Sequence, residues 1–391
     1  MTSSSQAPVR RPRNRKAQIA ETAAELFCAR GFHNVGVDDI AEVVGITGPA
    51  IYRHFRNKQE ILVCAAEELC ALVESVIETG AETGGLDGAL RAAAAVALDR
   101  RTVGRLYQWE GRHLPEAGRL VFAGRIEKLI RRLRDLLLRS RPALSKSDAR
   151  YLVLTALSVL ASPSTHRVKL SRAKAEAILL AIADDVLGVA ELPAAGKAAD
   201  EPAPGHGALL PRRERLLGEA VRLFNRHGYH EVGIEDIGAA AGINASSVYR
   251  HFPGKASLLA AVYYRAAERL NVATNDVLAA AVDAEDALNR LIESYVRLTF
   301  DQADLAAVYV SENENLPADD RHALRAAQHQ HVDTWVRLVG SVRPGEPAAE
   351  VRFRVHAALN AVTDLVRLRA SAPTGPERVT TLVDTILRGT R

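Results

Sequence analysis

Apolar residues recur at helical spacing along most of the chain, and alternating strand-like runs are few. Over residues 16–30 (KAQIAETAAELFCAR), Ile19, Ala23, Leu26 and Phe27 fall on one face, and Gly31 ends the pattern. A second helix is expected from Val37 to Val44, with Asp38 and Asp39 in its first turn, where acids suit the positive end of the helix dipole. Gly45-Ile46-Thr47 then reads as a tight turn in which Ile46 plugs the core. Thr47 is placed to cap a third helix, Gly48 to Phe55, with Pro49 tolerated in its first turn. Further helices are expected over 59–82, 87–113, 116–140, 147–161 and 170–187, then over 256–280, 284–313, 318–341, 348–370 and 375–388. The fold class is all-α.

The pattern repeats. Residues 31–62, GFHNVGVDDIAEVVGITGPAIYRHFRNKQEIL, align without a gap on 228–259, GYHEVGIEDIGAAAGINASSVYRHFPGKASLL, at an offset of 197 and with 14 of 32 positions identical. At an offset of 202, Tyr107 to Pro115 matches Tyr309 to Pro317, and Tyr151 to Leu157 matches Phe353 to Leu359. One helical unit therefore occurs twice. In the second copy, Asn244 takes the capping place and Ala245 to Phe252 the third helix. Residues 188–211 hold four prolines and four glycines without apolar periodicity, which reads as a linker. Fully stretched, such a linker spans roughly 75 Å. The organisation expected is a disordered basic arm over 1–14, heads over 15–62 and 212–259, helical regulatory domains over 63–187 and 260–391, and the linker between.

Composition narrows the class. The hydrophobic fraction of 48% and charged fraction of 25% suit a soluble globular chain. Cys28, Cys64 and Cys70 are too few and too irregular for a disulfide framework or a zinc site, so a reducing cytoplasm is the expected home. No apolar run reaches about 18 residues, and the first residues lack a signal-peptide core. Neither cofactor nor metal is expected. P-loop, Rossmann and GxSxG patterns are absent, and acids and histidines are scattered, which argues against an enzyme. The net charge of +4 is mild, so the placement of charge matters more than its sum.

In each copy, two short helices joined by a glycine-bearing turn form a helix-turn-helix, whose second helix is the one that enters a major groove. The residues GF-x₃-G-x₂-DIA-x₃-GIT-x₃-IYRHF-x₂-K and GY-x₃-G-x₂-DIG-x₃-GIN-x₃-VYRHF-x₂-K resemble the TetR-type repressors. The doubled arrangement is similar to the tandem regulators of mce-type lipid-import operons. The resemblance implies two units, each a DNA-binding head followed by a ligand-binding and dimerising domain. It places Thr47, Gly48, Pro49 and Ala50, with Asn244, Ala245, Ser246 and Ser247, against base edges. It puts Tyr52, His54 and Lys58, with Tyr249, His251 and Lys255, on phosphates, while Arg53 and Arg250 reach either. Phe55 and Phe252 read instead as packing. Both copies depart from the family in carrying glycine, Gly36 and Gly233, where a threonine usually caps the second helix.

The two reading helices differ. Gly48-Pro49-Ala50 offers no side-chain donor or acceptor, whereas Ala245-Ser246-Ser247 offers two hydroxyls, so an imperfect or non-palindromic operator is expected. Residues 10–16 (RRPRNRK) carry five basic residues, as either a solvated tail or a minor-groove arm. Tyr107, Trp109, Glu110 and His113, with Tyr309, Glu312, Asn313 and Asn315, are candidate pocket residues, with packing or surface roles open for each. His356, Asn360 and Asp364 share a face, as a pocket stripe or a hydrogen-bonded seam. By resemblance, the effector is a small apolar or amphipathic molecule of lipid, steroid or acyl-CoA type. Both heads belong to one chain, which favours a covalent pseudo-dimer acting as a ligand-released repressor. A homodimer with four heads and a helical scaffold without DNA binding are the alternatives.

Overall fold

The structure, a computed structural model, describes residues 15–101, 113–194, 210–368 and 374–389. The expected arm over 1–14 and most of the linker lie outside these residues. The first copy contributes α1 (Arg15–Arg30), α2 (Val37–Val44), α3 (Gly48–Ile51), α4 (Lys58–Asp99), α5 (Glu116–Ser140), α6 (Lys146–Ala161) and α7 (Arg172–Gly188). The second contributes α8 (Arg212–His227), α9 (Ile234–Ala240), α10 (Ala245–Tyr249), α11 (Lys255–Ala280), α12 (Ala284–Asp301), α13 (Ala303–Ser311), α14 (Ala318–Val342), α15 (Ala348–Arg367) and α16 (Pro376–Arg388). Among the described residues there is no strand. Among the same residues, no helix is long and apolar enough to cross a membrane.

Three expectations change in detail. The helix expected over 87–113 ends at Asp99, and the described residues 100 and 101 are non-helical. The stretch 284–313 is two helices rather than one, broken at Gln302, whose backbone (φ −125°, ψ 41°) leaves the helical region. The reading helices are short, ending at Ile51 and Tyr249 rather than Phe55 and Phe252. The chain unwinds there through i→i+3 bonds such as His54 N–H to Ile51 O (2.8 Å) and His251 N–H to Val248 O (2.8 Å). In the second copy, Pro253 also disfavours helix at Phe252.

The chain divides into two compact units, Met1–Ser75 with Thr102–Lys128, and Val76–Arg101 with Leu129–Arg391. In the first, α1 to α3 close over Ile19, Phe27, Ile40, Ile51, Phe55 and Leu62, with Leu114 completing the cluster. In the second, α4 folds back on itself at Gly84-Gly85. Gly85 takes φ +61°, a left-handed backbone that glycine adopts without penalty. The two arms touch at Gly80 and Gly88, where a side-chain carbon on either would lie within 2.4 Å of the other's carbonyl oxygen.

The second unit also holds a four-helix seam, α6 and α7 of copy one against α15 and α16 of copy two. Ten of the sixteen residues of α6 are buried, from Ala149 to Leu160, so this helix is covered on most sides and sits centrally. Apolar packing dominates, and a line of polar bonds fixes its register. Ser158 Oγ donates to Asp364 (2.5 Å), and Asn360 Nδ2 donates to Ser158 O (2.9 Å). Tyr151 and Thr374 share a buried hydroxyl bond. Lys174 pairs with Glu350 at 3.1 Å. His356 stacks on His166, ring centroids 4.6 Å apart. Asn360 and Asp364 thus belong to a seam, as does His356.

Arg378 joins three segments there. It donates to Asp148 and to Pro193 O (2.8 Å) and lies over the Tyr151 ring. Only 3% exposed, it leaves little room for water to replace it. Arg378→Met should therefore leave Asp148 with only its Ser145 bond and the Pro193 carbonyl without its donor, and lower stability by about 1–3 kcal/mol, read as a fall in the urea midpoint.

The buried histidines set an acid limit. Burial holds His166 at about 3 and His356 and His331 at about 4, so all three are neutral in the fold. Unfolded, each titrates near 6.5. Between those values the unfolded chain binds more protons, so stability is complete above about pH 6.5 and declines as pH falls toward 4. Each group contributes a slope of up to ~1.4 kcal/mol per pH unit. Urea denaturation at pH 7 and pH 5 should show the decline. His356→Leu, which installs the copy-one residue of that position (Leu154), should flatten it.

Candidate nucleic-acid interface

In each head, the reading helix is held from below. Ile51 (1% exposed) and Phe55 (2%) are buried one turn apart, as are Val248 (0%) and Phe252 (3%). Lys16 lies over the Phe55 ring at 5.2 Å and Arg213 over the Phe252 ring at 5.1 Å. With those faces fixed inward, Tyr52, Arg53 and His54 are forced out, as are Tyr249, Arg250 and His251. Tyr52 is 57% exposed and Tyr249 52%, unusual for rings of that size without a partner surface. Thr47 and Pro49 are exposed beside them and Ala50 half-buried, while Asn244 and Ser246 are exposed and Ala245 and Ser247 half-buried.

The turn that aims each reading helix has one geometry in both copies. Gly45 (φ +75°) ends α2, and Ile46 N–H returns to Ala41 O at 2.9 Å. Gly242 (φ +68°) ends α9, with Ile243 N–H on Gly238 O at 2.8 Å. Both backbones need glycine there. The missing threonines are replaced by acids. Gly36 N–H donates to Asp39 Oδ2 (2.6 Å) and Gly233 N–H to Asp236 Oδ2 (2.8 Å), which caps the second helix from inside.

The caps of the two reading helices differ. Asn244 Oδ1 accepts from Ser247 N–H (2.9 Å) and Ser246 Oγ (3.0 Å), as expected for a cap. Thr47 occupies the capping position, yet its hydroxyl makes no capping bond. Pro49 removes one of the N–H groups it would have accepted from. Gly48 is buried, and a side-chain carbon there would lie 2.0 Å from Asp38 Oδ1, so an acid occupies the start of the first reading helix. The second head instead carries Ala245 there. Ser247 Oγ accepts from Arg250 Nη2 (2.8 Å) and steadies that arginine across the helix.

Lys58 and Lys255 take a place the motif did not suggest. Lys58 Nζ donates to Phe32 O (2.8 Å) and Val35 O (2.9 Å), and Lys255 Nζ to Tyr229 O (2.7 Å) and Val232 O (2.8 Å). Each also sits over a ring, Phe32 or Tyr229. Burial lowers both ammonium pKa values, with Asp39 partly opposing it at Lys58 and Glu231, Glu312 and Asp236 at Lys255. These lysines tie the turn before the second helix to the start of the next long one.

The candidate pocket residues fall elsewhere than expected. Tyr107, Trp109 and Glu110 lie outside the described residues. His113 stacks on Phe32 at 5.2 Å, and its carbonyl accepts from Gln59 Nε2 (3.0 Å), so it braces the first head. Tyr309 stacks on Tyr263 at 4.7 Å, and its carbonyl accepts from the Tyr263 hydroxyl. Asn313 is half-buried and opens a short turn that ends at Asn315. Glu312, 1% exposed, accepts from Tyr229 N–H, while Asn315 bonds His230. In copy two this polar stretch therefore rests against the head. An aromatic cluster in copy two leaves little mark on the sequence. Trp335 Nε1 donates to His331 (2.9 Å) under Tyr295, and the only sequence trace is a His–Trp pair four residues apart.

Among the described residues, no group of three or more His, Cys, Asp or Glu is arranged to hold a metal ion. The model of the bacterial regulatory proteins of the tetR family matches residues 19–64 and again 216–262. Over 59 residues the chain is 37% identical to the HTH-type transcriptional activator FasR of Mycolicibacterium smegmatis, covering 15% of this chain and 27% of that one. Over 110 residues it is 28% identical to the HTH-type transcriptional repressor KstR2 of Rhodococcus jostii, covering 28% and 54%. The chain thus spans between about a quarter and just over half of these relatives' own lengths. The structure of the ketosteroid transcriptional regulator KstR2 of Mycobacterium tuberculosis is similar over 47% of this chain and 96% of that one, with a TM-score of 0.40 and 21% identity.

The geometry of Lys58 makes one test sharp. Lys58→Met leaves two carbonyls without their donor and should destabilise the first head by about 1–3 kcal/mol. The slope of DNA affinity against salt should stay unchanged, since loss of one direct phosphate contact would reduce it by about 0.9. A thermal melt and a salt titration of the variant separate the two roles. The glycine-bounded turns, the buried aromatic under each reading helix and the two matches to one domain model agree: the chain carries, twice, the domain that the tetR-family model of bacterial regulatory proteins describes.

Proposed function

We propose that this chain is a ligand-released transcriptional repressor, working in the cytoplasm, that grips one operator with two unlike heads. The observation that carries it is the pair of outward tails, Tyr52-Arg53-His54 and Tyr249-Arg250-His251, each forced out by a buried Phe. Phenol, guanidinium and imidazole donate to phosphate oxygens, and arginine also reads guanine edges. Lys58 and Lys255 act chiefly by holding the head's shape, so phosphate contact rests on the tails.

The heads read different chemistry. The first presents Thr47, Pro49 and Ala50 beside the Asp38 carboxylate, which suits thymine methyls and a cytosine amino group. The second presents Asn244 with its oxygen committed, leaving amide donors, and an Arg250 steadied by Ser247. Two different half-sites follow.

The seam supports a pseudo-dimer. Its four helices come from both copies of one chain, and its polar bonds cross from copy to copy. In the family such a seam joins two subunits, so here one chain supplies both heads. The effector is a small apolar or amphipathic molecule that acts by binding one arrangement of the heads better than another.

Two experiments test this reading. Mass measurement of the free and DNA-bound protein should give one chain per operator, and two chains would overturn the pseudo-dimer. A gel shift on the gene's own upstream region should lose about 1–3 kcal/mol of binding on Arg250→Ala. Footprints should show an imperfect repeat, and equal contacts on a perfect palindrome would sink the unlike-heads reading.

A further inference from the structure

At the end of α6, the chain makes a short turn, Ser162–Ser164, and then buries His166. His166 Nδ1 accepts from Val168 N–H (3.2 Å), so the ring proton is on Nε2. That Nε2–H is buried and has no acceptor, and neither has the buried Ser162 Oγ. An unmatched buried donor is destabilising, so a site that keeps one needs a reason.

The surrounding charge supplies one. Arg101 Nη1 and Arg167 Nη1 converge on the His166 carbonyl at 3.3 and 3.4 Å. No carboxylate pairs with either guanidinium among the described residues. The charges that act on the His166 ring come from His356, Arg101 and Arg167, all cationic or neutral, and those on His356 from Arg352 and His329. Arg352 is matched by Asp333 at 2.6 Å, whereas Arg101 and Arg167 have only a backbone oxygen. Residues 162–172 (SPSTHRVKLSR) contain no acid at all. The second copy has Asp364 where the first has Ser162, and Leu368 where it has His166, so the arrangement is confined to copy one.

We propose that Arg101, Arg167 and the Ser162–His166 turn form a binding site for one anionic group of a small molecule, a carboxylate or a phosphate. Guanidinium forks match both groups in shape, and the buried imidazole N–H and serine hydroxyl supply the remaining donors. His166 packs on Phe353 and His356 of α15, so an anion bound here touches the copy-one side of the seam. The site goes beyond the DNA-binding reading and stands without it.

The test uses the full chain without DNA, which keeps the outcome separate from that of any operator experiment. Sodium phosphate, sodium decanoate and neutral decanol are each titrated at one ionic strength set with sodium chloride. Binding is followed calorimetrically and by the imidazole proton–nitrogen signals of His166. Saturable binding of phosphate, of decanoate or of both, with movement of the His166 signals, is expected and identifies the anion class. Arg101→Gln with Arg167→Gln should weaken it at least tenfold while helix content stays the same. Binding to neither anion, equal binding of decanol and decanoate, or affinity unchanged in the double variant would overturn the site. If the variant misfolds, unmoved His166 signals in the unaltered protein overturn it equally.

Discussion

A reading helix of one turn cannot stand alone in water, because nucleation costs more than its few hydrogen bonds return. Each one here persists because a branched aliphatic and a phenylalanine on its underside are driven into the head's core. Everything on the outer side is a consequence. The closing turn that buries Ile51 and Phe55 four residues apart delivers Tyr52, Arg53 and His54 to solvent together. The αL glycine before each helix sets the angle at which this happens. Function in these heads is thus the exposed remainder of a packing solution, and both copies have kept that solution while changing what is exposed.

What changed shows where constraint is weak. Gly45 and Gly242, Phe55 and Phe252, and Lys58 and Lys255 occupy the same geometry in both heads, because turn, core and tie each tolerate few alternatives. The first turn of the reading helix is free of the core and has drifted. One head has a mute Gly-Pro-Ala beside a carboxylate, and the other an Asn-capped pair of serines. The helices that follow each head have drifted further. The latch on the second head is made of Glu312 and Asn315, while the ring of His113 does that work in the first.

Much of this was legible from residues alone, and the parts that were not share a cause. Val37–Val44 was readable to its ends because its signals are local: acids at the start, a glycine at the stop. Phe55 and Phe252 were readable as core because aromatic residues at helical spacing rarely serve elsewhere. The failure of Thr47 to cap was not, since it depends on the missing N–H of Pro49 and on Asp38 arriving from another helix. Lys58 sits in a motif that advertises phosphate contact, yet its partners lie some 25 residues earlier in the chain, at Phe32 and Val35. Tyr309 and Asn313 carried polar groups that suited a pocket. Only tertiary packing shows that their neighbours Glu312 and Asn315 face the head.

The seam gives the duplication its physical point. Two-fold related heads on separate chains must find each other, and their pairing weakens on dilution by mass action. Joined by a linker of the length of residues 188–211, the two copies meet at an effective concentration in the millimolar range whatever the cell contains. Under the proposed pairing, selection no longer has to keep the two faces identical, because each copy meets the other rather than itself. That freedom is visible at the seam's centre, where Ser158 meets Asn360 and Asp364 rather than a copy of itself. A joined pair can also diverge in its heads without producing mismatched homodimers. On the proposed pairing, the asymmetry of Gly48-Pro49-Ala50 and Ala245-Ser246-Ser247 is what covalent joining permits, and the operator proposed above, with unlike halves, is the one that matches it.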